Sequence, residues 1–124
     1  MRQLTFNEWK PGPFCDIAII NLTIEALAKE HAFAPERVVE DGLGWVSYVP
    51  LELDDGTRFL LDWAEGGTPE QMIVKADITD RPYTAAIDKL LSALDLERSA
   101  VLWLSADDGY QHQIDGLKRE GRPG

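Results

Sequence analysis

Residues 45–63 read Trp-Val-Ser-Tyr-Val-Pro-Leu-Glu-Leu-Asp-Asp-Gly-Thr-Arg-Phe-Leu-Leu-Asp-Trp, and the way this stretch pairs with itself decides the fold. In an extended chain Trp45, Ser47, Val49, Leu51 and Leu53 share one face, and Thr57, Phe59, Leu61 and Trp63 share one face after the turn. A two-residue Asp55-Gly56 loop sets Leu51 opposite Leu60 and mixes the faces. The longer loop Asp54-Asp55-Gly56 aligns Leu51 with Phe59, Val49 with Leu61 and Ser47 with Trp63, and sets Glu52 against Arg58. Gly56 then takes the left-handed position of a type I turn with a bulge. A one-residue slip would carry the apolar set into water, so the longer loop is expected.

Pro50 checks this register. It has no N–H to give to a ladder, and in the expected pairing its nitrogen points away from the second strand. That part of the strand must therefore be an edge or a bulge. Upstream, the extended run Arg37–Glu40 can pair only with the Trp45–Val49 half, across the turn Asp41-Gly42-Leu43-Gly44.

Working outward, Gln71–Ile78 follows the loop Ala64-Glu65-Gly66-Gly67-Thr68-Pro69 as a further strand, with Met72, Val74, Ala76 and Ile78 on one face. Asp80 and Pro82 open a helix over residues 82–95, in which Tyr83, Ala86, Ile87, Leu90, Leu91 and Leu94 form an apolar stripe. Ala100–Leu104 is short and nearly all apolar, the pattern of a central strand buried on both faces. Near the N-terminus, Ile17, Ile20, Ile24, Leu27 and His31 recur at helical spacing behind Asp16 as an N-cap, which predicts a helix. The β-branched Ile17, Ile19, Ile20, Thr23 and Ile24 make a strand over residues 16–24 the competing reading.

Together these elements predict a single α+β domain over residues 1–115. It comprises a mainly antiparallel twisted sheet of four to five strands with two helices packed on one face and an irregular arm at residues 1–14, and a flexible basic tail at 116–124 follows it. Trp45, Trp63 and Trp103 are expected in packing roles, and Trp9 either caps the core or sits exposed. At 124 residues and 44% apolar, such a domain buries a core without staples. Its one cysteine excludes an internal disulfide. The N-terminal residues lack the apolar stretch of a secretory signal, and no run is long enough for a membrane span, so a cytoplasmic location is expected.

Charge limits the partners. The chain has 22 acids against 12 Lys and Arg, a formal net of −10. Residues 40–80 hold ten of the acids (Glu40, Asp41, Glu52, Asp54, Asp55, Asp62, Glu65, Glu70, Asp77, Asp80) and two bases, Arg58 and Lys75. Such a field attracts cationic partners and repels nucleic acid and anionic membrane.

No catalytic, metal or cofactor motif stands out. His31 and His112 are distant and lack ligands at i+3 or i+4, and Asp107-Asp108-Gly109 lacks the alternating acids of a calcium loop. Cys15 sits beside Asp16, which works against thiolate formation. Nucleophile elbows, zinc-protease helices and phosphate-cradling glycine loops are missing from the sequence. Carboxylate pairs are numerous, but chance alone supplies them in so acidic a chain.

What remains is the sheet face opposite the predicted core. By the register above it carries Tyr48, Pro50, Glu52, Asp54, Arg58, Leu60, Asp62, Ile73, Lys75 and Asp77. Acids around Tyr48, Leu60 and Ile73 suit a basic protein partner. The expected function is therefore a non-enzymatic acidic binding domain. Its most concrete form is an immunity or antidote protein against a basic, nuclease-type toxin. Two alternatives stand beside it: a DNA-mimicking inhibitor of a nucleic-acid-binding protein, and a ligand-binding or catalytic domain with a pocket between helix 82–95 and the sheet.

Overall fold

The computed structural model describes residues 1–9, 13–42, 44–68, 70–80 and 82–105. The turn expected at Asp107-Asp108-Gly109, His112 and the tail at 116–124 lie outside them. Along the chain run β1 (Arg2–Gln3), α1 (Phe6–Trp9), β2 (Phe14–Asn21), α2 (Ile24–His31), β3 (Glu36–Glu40), β4 (Gly44–Glu52), β5 (Arg58–Ala64), β6 (Gln71–Asp77), α3 (Tyr83–Ala93) and β7 (Val101–Leu104). The seven strands form one antiparallel sheet in the order β1-β4-β5-β6-β2-β7, with β3 also paired to β4. The class is α+β as expected, with seven strands in place of four or five and three α-helices in place of two among the described residues.

The β4–β5 hairpin has the expected register: Leu51 faces Phe59, Val49 faces Leu61, Ser47 faces Trp63 and Glu52 faces Arg58. Gly56 sits at φ +90°. The Leu53 amide donates to Thr57 O at 2.8 Å and the Gly56 amide to Leu53 O at 2.9 Å, closing the bulged turn. Pro50 lies where β3 ends and β1 begins along the outer side of β4. Its nitrogen is asked for no ladder bond, and its carbonyl accepts from the Leu4 amide at 2.9 Å.

The main core gathers Val49, Leu51, Phe59, Leu61, Met72, Val74 and Ala76 from one face of the sheet. Ile24 and Leu27 of α2 and Tyr83, Ala86, Ile87, Leu90 and Leu91 of α3 belong to the same cluster.

Three expectations are corrected. Residues 16–21 belong to strand β2, and the first long helix starts after Thr23, whose hydroxyl accepts from the Ala26 amide at 3.1 Å. A bulge explains the false helical period. Asp16 pairs with Lys75 and Ala18 with the adjacent Val74, so Ile17 is inserted, and both Ile17 and Ala18 turn inward. The resulting spacing Ile17, Ile20, Ile24, Leu27 combines a bulged strand with the next helix. Second, β7 is the outermost strand beside β2, not a central one; Leu102 and Trp103 are 51% and 40% exposed. Third, the arm expected to be irregular holds β1 and the single turn α1.

The tryptophans also sort differently. Trp9 is buried, Trp63 is partly buried, and Trp45 is 45% exposed beneath the Arg37 guanidinium, 4.0 Å from its ring centroid.

Candidate protein-binding face

Strand alternation places the even-numbered residues of β4 on the sheet face away from the main core, and cross-strand registry extends that face in rows. One row runs Glu36, Tyr48, Asp62, Ile73, Ile19, Trp103 from β3 across to β7. A second runs Pro50, Leu60, Lys75, Asp16. Below it, Arg2, Glu52 and Arg58 stand side by side, and Asp77 faces Phe14.

Half of this face is covered by the chain's own arm. In α1, Thr5 and Glu8 form a reciprocal capping box: the Thr5 amide donates to Glu8 Oε1 at 2.8 Å and the Glu8 amide to Thr5 Oγ1 at 3.1 Å. The turn delivers Trp9 into a second apolar cluster with Val46, Tyr48 and Leu60. Phe6 meets the Tyr48 ring edge-on at 5.5 Å between centroids, and Arg58 donates to Glu8 O at 2.7 Å. Leu60 and Tyr48 are consequently buried.

The β6–β2–β7 half lies beyond α1. Ile73 and Ile19 are half-buried there, while Trp103 and Phe14 are 40% and 47% exposed. Lys75 binds Asp16 at 2.5 Å and Asp62 more loosely at 3.7 Å, in the middle of the face. Burial pushes the Asp62 carboxyl above its ordinary value; Lys75 opposes this, and the charges of Asp16 and Glu40 add to it. Burial likewise drives the Tyr48 hydroxyl well above its usual range, assisted by its hydrogen bond to Glu40 and the charges of Asp62 and Glu40. Tyr48 is thus a hydrogen-bond donor and not a phenolate at neutral pH.

The residues expected at the binding face fall into four groups. Tyr48, Leu60, Asp62 and Ile73 do adjoin one another, but α1 covers the first two and Asp62 is only 9% exposed. Glu52 and Arg58 pair at 2.8 Å, and Arg2 approaches Glu52 from its other side at 3.1 Å. These two guanidinium groups hold the Glu52 carboxyl below its ordinary range. Asp77 borders the uncovered half, its carboxylate accepting from the Thr79 amide and hydroxyl. Asp54 lies off the face, in the hairpin turn, against the Met1 amino group.

Phe14, Asp16, Ile19 and Trp103 were missed, because β2 reads as a helix and β7 as a central strand. The alternation Phe14, Asp16 and then, past the bulge, Ile19, Asn21 was the available signal. For the arm the signal was Thr5-x-x-Glu8, a capping box just before Trp9.

The described residues include no cluster of three His, Cys, Asp or Glu suited to a metal, and no helix long and apolar enough to cross a membrane. Cys15 Sγ lies 3.7 Å from the Tyr83 hydroxyl, a weak contact at the sheet margin. A polar cleft of about 210 Å³ opens at the start of α3, lined by Thr57, Thr79, Asp80, Pro82, Ala85, Ala86 and Lys89. Between α3 and the sheet, Phe59, Leu61, Met72, Val74, Ile87 and Leu90 are fully buried. The chain matches no protein-family model, no curated protein and no solved structure.

Proposed function

We propose that the chain is a non-enzymatic binding domain that engages a basic protein partner through the β6–β2–β7 half of its second sheet face. The observation that carries this reading is the row Ile73, Ile19, Trp103. That row lies beyond α1; Phe14 stands further along β2, past the Asp16–Lys75 pair and with the Trp9 ring edge-on to it, and Asp16, Asp62 and Asp77 face Lys75, the one cation of this half among the described residues. An apolar centre supplies contact energy, and an acidic border selects and steers a cationic surface. The net charge of −10 extends that steering beyond the patch.

An immunity or antidote protein against a nuclease-type toxin is the concrete form favoured by this chemistry. Such toxins are basic where they hold phosphate, and speed of capture matters for an inhibitor. Apolar side chains interleaved with acids fit protein contact better than a run of phosphate mimics.

Capture from native lysate on the immobilised chain, repeated with Asp16→Lys/Asp77→Lys, tests the reading. A retained protein with a basic surface, weakened about tenfold or more by the double variant and by added salt, is the expected result. Retention of no basic protein, or retention indifferent to the double variant, contradicts it.

A further inference from the structure

The outer edge of β3 carries a second recognition element. In the hairpin, Leu53 exchanges hydrogen bonds with the β5 side, and Pro50 O turns to the β1 side. Alternation therefore directs the backbone groups of Tyr48 and Val46 toward β3, and those of their partners Glu36 and Val38 toward β4. The N–H and C=O groups of Arg37 and Val39 then point away from the sheet, and no strand pairs with them among the described residues.

Side chains add selectivity to this edge. Val39 is 63% and Val38 39% exposed, flanked on the second face by Glu36 and Glu40. Arg37 is occupied: it forks onto Glu65, at 3.0 Å through Nη2, and covers Trp45.

We propose that this edge captures an extended basic segment of another protein by strand addition. The incoming strand runs antiparallel, with an apolar residue opposite Val38 and a Lys or Arg opposite each of Glu36 and Glu40. A second copy of this chain is the wrong occupant. Antiparallel pairing of two β3 strands centred on Val38 sets Glu36 against Glu40 twice, and like charges directly opposite are unfavourable. This edge is separate from the β6–β2–β7 patch, so each can fail without the other.

The probe is a fluorescent peptide, Thr-Lys-Val-Val-Thr-Lys-Thr, with a control in which both lysines are glutamate. By anisotropy, the lysine peptide binds about tenfold or more tightly than the control. Val39→Pro removes an outward N–H without touching the β4 ladder, and weakens the lysine peptide by a similar factor. Glu36→Lys/Glu40→Lys reverses the preference, which keeps the test decisive should the proline variant fold poorly. Asp16→Lys/Asp77→Lys leaves peptide binding unchanged. Equal binding of the two peptides, binding of neither, or full binding to Val39→Pro overturns the proposal. So does a dimer of the free chain that Val39→Pro dissolves.

Discussion

Replacing Trp9 by alanine asks whether the arm is part of the fold or merely rests on it. Trp9 is 3% exposed and packs on Val46, Tyr48 and Leu60, with the Phe14 ring edge-on at 6.2 Å between centroids. A tryptophan hides on the order of 200 Å², which at about 25 cal/mol/Å² amounts to roughly 5 kcal/mol. Compaction of the unfolded chain removes roughly 10–40% of that, leaving about 3–4.5 kcal/mol, within the usual range for a large-to-small change in a core. Such a loss is a large share of the roughly 5–15 kcal/mol that holds a domain together, yet it need not unfold it. Urea unfolding followed by far-UV circular dichroism measures the difference, with Trp9→Phe expected to fall between parent and alanine variant. A loss below about 1 kcal/mol would mean that the arm frays from the sheet in solution and leaves Tyr48 and Leu60 open, contrary to the packing of Trp9.

Two further outcomes follow from local geometry. Gly56→Ala places a side chain at φ +90° with no atom within 4 Å of its Cβ, so backbone strain alone should cost about 1–2 kcal/mol in urea unfolding. An unchanged midpoint would mean that the bulged turn is not formed. Asp62 binds its proton more tightly in the folded chain than in the unfolded one. Its contribution to stability therefore declines as pH rises from the ordinary aspartate value through its raised folded value. Between pH 7 and about pH 4, the stability of Asp62→Asn relative to the parent should fall on acidification. A constant difference would show that Asp62 titrates as it does when unfolded.

The parts of the fold legible in the sequence are those set by neighbours along the chain. The β4–β5 register follows from Asp54-Asp55-Gly56 and two alternating runs, and Pro50 marks an edge because a proline nitrogen cannot serve a ladder. The β6 alternation and the α3 stripe were equally plain. The errors arose where strands meet from distant parts of the chain. Ile19 joins Ile73 and Trp103 across β6 and β7, a juxtaposition that no local pattern encodes. The bulge at Ile17 breaks the period of two that identifies a strand. The apolar run Ala100–Leu104 has the pattern of a doubly buried strand, whereas β7 is an edge that exposes Leu102 and Trp103. Of the candidate site, the β4, β5 and β6 positions of the face were legible, but not the β2 and β7 positions that extend it, nor which half of it Trp9 occupies.

Hydroxyl-radical footprinting of the chain, free and bound to the basic protein it retains, reads the β6–β2–β7 face itself. Trp103 and Phe14, both exposed in the free chain, should lose reactivity several-fold on binding, and Trp45 on the other face should change only if the β3 edge is engaged as well. Trp103 and Phe14 remaining as reactive in the complex as in the free chain would contradict the assignment of the β6–β2–β7 face.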